Sequence, residues 1–430
     1  MREDWTECCF EDILDYEQPT KYIVNSTDYN DAYEMPVLTA GKSFIKGYTN
    51  ETDGIFENLP TIIFDDFTTA SQYVDFKFKV KSSAMKILVP TSKLVNMRFA
   101  FYAMQVNQIR NDTHKRYWIS VYAKKKFLLP SLLEQKAIIS KIEELFSDLD
   151  KGIDDLIKAK DQLVIYRQAV LKKAYEGELT REWREKNEIT FDWEETNTGK
   201  VMPDINSGST PKSDFLFDKG EIQFLKVYNL NFDGTLNSNK NPAFTTNEVH
   251  NSQNKRAITI AGDVLINIVG PPLGKVSMIP LNSKKEFNIN QAIVRFRPNE
   301  KITSKFLCFF LQNPATVLWL ESKSNTTAGQ HNVKVTTCRE IPINLPSIKE
   351  QNQIVKEIES RLSVCDKVEL SISESLEKAK VLRQSILKKA FEGTLLSVAE
   401  IERCKQEEDY EPAAVLLAKI KDEKKKKNKV

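Results

Sequence analysis

Two nearly identical stretches, RQAVLKKAYEGEL at residues 167–179 and RQSILKKAFEGTL at residues 383–395, decide how this chain folds. Nine of the thirteen paired residues are identical, and the copies lie 216 positions apart. The same spacing relates LPSLLEQ at 129–135 to LPSIKEQ at 345–351, so the two copies align without a gap over residues 129–179. This period is far longer than the roughly 20 to 50 residues of solenoid units. The duplication therefore predicts a molecule with internal pseudo-twofold symmetry.

Each copy of the repeat has the pattern of one long helix. Pro130 and Ser131 form an opening signal, and apolar residues then recur every three or four positions with charged residues between them. Such a narrow apolar stripe is typical of a coiled-coil seam. We therefore predict that the two helices pair. The predicted pairing residues are Ile138, Ile142, Leu145, Leu149 and Leu156 in the first copy, and Ile354, Ile358, Leu362, Ile372 and Leu376 in the second.

The end of each predicted helix is marked by the same residues. Lysines precede an alanine, an aromatic residue, a glutamate and then Gly177 or Gly393. Cations are favourable in the last turn of a helix, and glycine suits the left-handed residue that follows it. A helix from Glu134 to Tyr175 would be roughly 60 Å long at 1.5 Å per residue.

Short aromatic and β-branched runs precede each helix. TIIFDDF and MKILVP in the first half, and EIQFLKVYNL and AIVRFRP in the second, predict strands of a mixed α+β or α/β domain. We therefore divide the 430 residues into domain, helix, domain, helix and a charged C-terminal segment. The predicted bounds are 1–128, 129–180, 181–344, 345–396 and 397–430. Within the last segment, PAAVLLAKI is a candidate partner-docking helix and the lysine-rich end a solvated tail.

Composition excludes several classes of protein. The N-terminal stretch is acidic and no run approaches the 18 or so apolar residues of a membrane span, so we expect a cytoplasmic protein without membrane contact. Six cysteines without a C-x-x-C pair and only three histidines support neither a zinc site nor a disulfide framework. The net charge of +2 means that any nucleic-acid surface must be a local basic one.

Catalytic motifs are weak. GPPLGK at 270–275 lacks the first glycine and the final Ser or Thr of a phosphate loop. NPAF, which begins at Asn241, is one residue away from the motif of amino-methyltransferases, but no glycine-rich cofactor turn accompanies it. We therefore expect no catalytic, cofactor or metal site on this chain. A DNA methyltransferase that uses Asn241 remains one alternative, and a stand-alone coiled-coil adaptor that binds protein or glycan is another.

Polar loop residues are the better candidates for function, because Asn and Gln match the major-groove edge of adenine and Lys binds phosphate or guanine. Similar clusters occur in both halves of the chain. The candidates for DNA contact in the second domain are Ser209, Thr210, Lys212, Lys226, Asn229, Gln330, His331, Asn332 and Lys334. Those in the first domain are Lys42, Ser43, Lys46, Tyr48, Lys115, Arg116 and Tyr117.

The whole arrangement resembles the DNA specificity subunit (HsdS) of type I restriction–modification systems. The resemblance covers nearly the whole chain and rests on LPS-x-x-EQ and RQ-x-h-LKKA-[YF]-EG-x-L, each present twice. GSTPKS and TAGQHN in the second domain are similar to loops of that family's target-recognition domains. The first domain departs from the pattern, with YEQPTKYIV and DTHKRYW at the corresponding places.

The resemblance implies a mechanism and a set of partners. Each globular domain would recognise one half of a split double-stranded DNA target, and the two helices, paired antiparallel, would fix the spacing between the halves. Two adenine-N6 methyltransferase (M) subunits would bind the chain, with two restriction (R) subunits as optional further partners. AdoMet, ATP and Mg²⁺ would then belong to those partners, and this chain would be a non-catalytic targeting subunit.

Overall fold

The structure is a computed structural model that describes residues 2–41, 43–107, 117–327 and 329–427, with the backbone alone at 326 and 327. Its contacts divide the chain into two compact units. The first unit combines Met1–Leu156 with Glu374–Val430, and the second is Ile157–Ser373. Each unit thus contains one globular domain and half of each long helix.

The helices confirm the pattern of the repeat. The two long ones, α3 and α10, each have 44 residues. Their ends match the sequence motifs at both sides, because Ser131 and Ser347 precede the first turns and a left-handed glycine follows the last. The helices are α1 Phe10–Ile13, α2 Met97–Val106, α3 Leu132–Tyr175, α4 Arg181–Lys186, α5 Thr198–Val201, α6 Asn247–Asn251, α7 Ser304–Gln312, α8 Pro314–Ser322, α9 Val335–Arg339, α10 Ile348–Phe391, α11 Val398–Gln406 and α12 Ala413–Lys427.

Short strands form the framework of both domains. In the first they are β1 Thr6–Cys9, β2 Leu14–Glu17, β3 Met35–Leu38, β4 Ile45–Thr49, β5 Thr61–Asp65, β6 Ser71–Val74, β7 Lys79–Val80, β8 Met85–Pro90 and β9 Lys126–Leu129. In the second they are β10 Glu194–Asn197, β11 Ile205–Ser207, β12 Ile222–Leu225, β13 Ala243–Thr245, β14 Val264–Asn267, β15 Val269–Gly270, β16 Val276–Met278, β17 Phe287–Ile289, β18 Ile293–Phe296, β19 Asn325–Thr327, β20 Gln330–Asn332 and β21 Pro342–Leu345.

The two domains share one strand topology. An antiparallel sheet of order β2-β8-β5-β6 in the first domain has the counterpart β11-β18-β14-β16 in the second. A three-stranded sheet with one parallel pair, β4-β3-β7, corresponds to β13-β12-β17, and the pair β1-β9 corresponds to β10-β21. The second domain also contains the three-stranded sheet β15-β20-β19. Mixed strands and helices in a duplicated framework agree with the predicted fold class.

The long helices pair antiparallel within each unit. In the second unit Arg167 of α3 lies 2.7 Å from Asp366 of α10, and in the first unit Arg383 of α10 pairs with Asp150 of α3. Both arginines belong to the repeated RQ motif, and both partners also lie 216 positions apart. The duplication therefore extends to the ion pairs between the helices.

A buried glutamate of the repeated motif LPS-x-x-EQ joins the helix ends in the second unit. Both carboxylate oxygens of Glu350, near the start of α10, are used. Oε1 accepts hydrogen bonds from Arg184 Nη1 at 2.5 Å and Thr180 Oγ1 at 2.8 Å, and Oε2 accepts one from Trp193 Nε1 at 3.0 Å. Arg184 also donates to the carbonyl of Gly177 at the end of α3. We call these five residues the second end cluster.

An equivalent set of residues, the first end cluster, joins the start of α3 to the end of α10. Arg2 donates to Glu134 Oε1 at 2.6 Å and also pairs with Asp4, while Ser131 donates to the other oxygen of Glu134. The Arg2 side chain crosses Gly393, where an added Cβ would lie 2.4 Å from Arg2 Cγ. With φ at +75°, Gly393 meets two demands that favour glycine.

The C-terminal segment packs on the first domain. Leu416, Leu417 and Ile420 of α12 are buried in the same core as residues of α1 and α2. Lys421 lies 3.2 Å from Asp12. The predicted docking helix thus binds its own chain, and the lysine run, expected as a tail, continues α12 to Lys427.

Candidate nucleic-acid interface

Several loops of the second domain lie together beyond the ends of β11, β14 and β18. Thr210 Oγ1 donates to Gln291 Oε1, which joins the loop after β11 to the segment before β18. The backbone N–H of Ile268 donates to the carbonyl of Ala292 at 2.8 Å, and that of Val333 donates to Ile268 at 2.9 Å. We call these segments, 208–210, 268–275, 290–292 and 329–334, the second loop edge.

The presence of glycine at position 208, the first residue of GSTPKS, has a steric reason. A Cβ on Gly208 would lie 1.8 Å from the carbonyl oxygen of Ile289, so only glycine allows these two backbones to approach. Its N–H donates to the carbonyl of Ile293 at 3.2 Å. The neighbouring Ser209 is half-buried and accepts a hydrogen bond from Gln253, whereas Thr210 and Lys212 are exposed.

Asn267, the last residue of β14, holds the loop that follows it. Its side chain donates to the carbonyls of Val269 and Pro272 and accepts from the N–H of Lys275 at 2.9 Å. Asn267 is buried, so these bonds replace the water that its amide would otherwise bind. The loop that resembles a phosphate loop in sequence is therefore shaped by side-chain capping.

Thr327 and Gln330–Asn332 of the predicted TAGQHN motif lie in the antiparallel strands β19 and β20, which we call the hairpin. Strand β20 pairs with β19 and with β15, so Gly270 faces His331. Gln330, Asn332 and the following Lys334 are exposed, and the half-buried His331 has its Nδ1 2.7 Å from Ser324 Oγ. The hairpin therefore presents two amides and a cation to solvent on a backbone paired to the rest of the edge.

Lys226 and Asn229 belong to the connection between β12 and β13. Asn229 is buried, its amide donates to the carbonyls of Asn237 and Lys240, and its side-chain oxygen accepts from the N–H of Lys226. These bonds give Asn229 a role in holding this connection, which departs from the predicted contact with DNA. Lys226 is half-buried.

In the first domain, Ser43, Lys46 and Tyr48 lie on or beside the hairpin of β3 and β4, which corresponds to β12 and β13. Ser43 and Lys46 are exposed and Tyr48 is half-buried. The predicted contacts Lys42, Lys115 and Arg116 lie outside the described residues.

Tyr117 is buried, which departs from its predicted role as a contact residue. Its N–H donates to the carbonyl of Asp66 at 3.0 Å, just as that of Val333 donates to Ile268 in the second domain. Tyr117 and Val333 are 216 positions apart. Tyr117 therefore holds the turn after β5, as Val333 holds the loop after β14. The sequence did not reveal this, because a tyrosine is equally suited to a core and to a binding surface.

The predicted pairing residues differ in their surroundings. The starts of the helices belong to the domain cores, because Ile138 and Ile142 lie in the same buried cluster as Phe99, and Ile354 and Ile358 in the same cluster as Phe306. Farther along the helices most of the predicted pairing residues are less buried. Ile372 is buried, whereas Leu145, Leu149, Leu156, Leu362 and Leu376 are half-buried.

Within the part of the chain that the structure describes, no cluster of three His, Cys, Asp or Glu side chains could hold a metal ion. No described helix is long and apolar enough to cross a membrane. Asn241 lies in an exposed turn ahead of β13, where its carbonyl accepts from Tyr228.

Comparison with known proteins identifies the family. The model of the type I restriction modification DNA specificity domain matches residues 2–159 and 191–378. The chain belongs to this family. Each match lies within one half of the duplication, so the resemblance to this family is confirmed.

Curated relatives agree with this assignment. The chain is 32% identical over 388 residues to the EcoR124I/EcoR124II specificity subunit from Escherichia coli, which covers 87% of this chain and 89% of the relative. It is 30% identical over 314 residues to the EcoBI specificity subunit from Escherichia coli, which covers 69% and 64%. These relatives are named as specificity subunits of enzymes. They confirm the prediction of a targeting subunit over an adaptor or a methyltransferase built on Asn241.

Solved structures share the fold. A chain from a study of complex assembly and conformational transition of the type I R-M system has a TM-score of 0.67 at 16% identity and covers 92% of this chain and 99% of its own length. The HsdS subunit from Thermoanaerobacter tengcongensis has a TM-score of 0.52 at 17% identity, with 92% and 98% covered. This chain therefore shares its architecture with these two chains although the sequences differ widely.

Proposed function

We propose that this chain is the DNA-binding specificity subunit of a type I restriction–modification complex and that it recognises a split target, one half with each domain. The observation that carries the proposal is the duplicated strand framework with different polar residues on each copy. A shared framework supports two binding modules of one kind, and different side chains support two different base sequences.

The long helices would set the spacing between the two recognised halves. Helices α3 and α10 have 44 residues each, which corresponds to about 66 Å at 1.5 Å per residue. Bases that lie between the recognised halves would not be contacted by either domain.

Chemistry would come from partners. The proposed complex contains two methyltransferase subunits, which supply AdoMet and methylate adenine N6, and accepts two restriction subunits that use ATP and Mg²⁺. This chain would bind double-stranded DNA and the partner subunits in the cytoplasm, without a cofactor of its own.

The test is sequencing of methylated bases in the host genome with this gene intact and deleted. We expect one two-part adenine-methylated motif to disappear on deletion, and the motif itself gives both halves and the spacer. An unchanged set of motifs in a strain that expresses the methyltransferase subunit would refute the proposal. Salt dependence of DNA binding by the purified complex gives a second check, because neutralised phosphates release counterions.

The spacer hypothesis has its own test. Insertion of seven residues after Lys158, with a matching insertion at the paired level of α10, adds about two turns to each helix and keeps the apolar stripe in register. We expect a longer spacer and two unchanged half-sites in the methylated motif. An altered half-site with an unchanged spacer would contradict the assigned role of the helices.

A further inference from the structure

The loop edge of the second domain has a counterpart in the first domain that the sequence motifs do not mark. Asp65 ends β5 as Asn267 ends β14, and these strands hold the same place in their sheets. The N–H of Asp65 donates to the carbonyl of Ala70 at 2.8 Å, and that of Asn267 to Lys275 at 3.1 Å. The two turns, 66–70 and 268–275, are therefore closed in the same way.

The side chains at these two positions also act alike. Asp65 Oδ1 accepts from the N–H groups of Phe67 at 2.8 Å and Thr68 at 3.0 Å, and Asn267 Oδ1 accepts from Lys275. Each strand thus ends in a residue that fixes the backbone of the turn beyond it. A turn held in this way can present its exposed side chains in a fixed position.

A second correspondence lies at the segment before β8. The N–H of Lys81 donates to the carbonyl of Leu38 at 3.1 Å, and that of Asn290 donates to Leu225 at 3.1 Å. Leu38 and Leu225 end the corresponding strands β3 and β12. Residues 81–84 of the first domain therefore occupy the place of 290–292, where Gln291 lies in the second.

The third correspondence follows β2. The turn Pro19–Tyr22 follows β2 as the Gly208 loop follows β11. These two strands pair with β8 and β18, which hold the same place in their sheets. Lys21 in this turn has a side chain that is 75% exposed and lies 3.2 Å from Glu17. Thr68 in the turn after β5 is exposed as well.

We propose that segments 19–22, 66–69 and 81–84 form the DNA-contacting edge of the first domain, with Lys21 and Thr68 as contact residues. This inference rests on the proposed function. Lys21 carries a mobile cation suited to phosphate, whereas Thr68 offers a hydroxyl on a fixed turn, suited to a base edge. The exposed Ser43 lies in the loop that follows β3, and Leu38 at the end of β3 bonds to Lys81. The predicted hairpin residues therefore border this edge.

The experiment uses the complete chain assembled with its methyltransferase partner and the motif found by genome sequencing. Methylation rates are measured on duplexes in which each base pair of the motif is varied, at two salt concentrations. For Lys21→Ala we expect a rate about tenfold lower on every sequence and a weaker dependence on salt. For Thr68→Val we expect about tenfold less discrimination at one position of one half-site, with the other half-site unchanged.

The matched control is Lys77→Ala. Lys77 is an exposed lysine of the same domain that also pairs with a glutamate, Glu57, at 2.6 Å, but it precedes β7 at the end away from Lys81. It should keep wild-type rates. Rates for Lys21→Ala and Thr68→Val equal to those of Lys77→Ala would overturn the inference.

Gln330→Ala separates this inference from the function on which it rests. If Gln330→Ala relaxes one half-site while the Lys21 and Thr68 variants behave as wild type, the edge in the first domain is wrong and the proposed function stands. If none of the variants changes any half-site, the proposed function itself fails, and the inference fails with it.

Discussion

In the second domain the loop 268–275 follows β14, whereas in the first the shorter turn 66–70 follows β5 at the same place. The strands below these loops keep one topology in both domains. Buried apolar residues hold the strands in place, and the exposed loops are not bound by that packing. The comparison teaches that the framework can stay constant while the surface that contacts DNA changes in length and chemistry.

The two end clusters show the opposite relation, because there the side chains are similar and their burial differs. Both glutamates are almost fully buried, with 3% of the Glu350 side chain and 1% of the Glu134 side chain exposed. The arginines differ, because Arg184 is 8% exposed, whereas Arg2 is 19% exposed and shares its charge between Glu134 and Asp4. A charge that loses its partner in a buried site costs more than one near water. The second cluster should therefore be the more sensitive of the two.

The largest expected effect comes from Arg184→Met, which leaves Glu350 buried without its cation. We expect a loss of about 3 to 5 kcal/mol in the free energy of unfolding of the second unit. For Arg2→Met the loss in the first unit should be smaller, because water can enter the place of the more exposed Arg2 beside Glu134. Hydrogen exchange of peptides from each unit measures both. Equal losses would contradict the comparison of the clusters.

An intermediate effect is expected at the second loop edge. Gln330→Ala and Asn332→Ala should each remove about 1 to 3 kcal/mol of discrimination from one half-site and leave the other unchanged, because a bidentate amide contact to a base is lost. Methylation of duplexes with single base changes gives the value. Asn187→Ala, which removes an exposed amide at the end of α4, is the control and should keep both half-sites. Uniform loss over all sequences would identify the two amides as phosphate contacts.

The smallest expected effect is the dependence of stability on acidic pH at Asp4. The hydrogen bonds from Arg2 are the main reason why the pKa of Asp4 lies well below its usual range. A carboxylate with a depressed pKa contributes stability above its unfolded pKa of about 3.8, and this contribution is lost as the pH falls toward the folded value. We expect Asp4→Asn to be less stable than the wild type at pH 7 and to approach it below pH of about 3.5. A stability difference that is independent of pH would contradict this role.

The sequence predicted the helices well because their information is local and repeated. The first residues, the apolar stripe and the terminal glycine of α3 and α10 all follow from short-range rules. Each of these signals occurs in both copies, 216 positions apart, so the two predictions support each other. The loop positions of Gln330 and Thr210 could also be predicted, because their polar, glycine-containing stretches stand out, while their contact with DNA stays a prediction. Their partner Gln291 was missed, because it lies in an ordinary run of sequence and meets Thr210 only through the sheet.

The less successful predictions have physical causes of the same kind. Asn229 and Tyr117 carry polar groups that serve a binding surface or a buried hydrogen bond equally well, and only the packing around them decides. Strand pairing brings distant segments together, so the edge formed by Lys21 and Thr68 has no pattern along the chain.

The first unit is built from both ends of the chain, since α12 packs on α1 and Lys421 reaches Asp12. The globular part of the second unit is one uninterrupted stretch between α3 and α10. A genetic exchange that replaces that stretch brings a complete domain in one piece. An exchange of the first domain must also preserve its fit to α12, a helix encoded more than 280 residues downstream of that domain. Recombination between related genes should therefore replace the second domain more freely than the first.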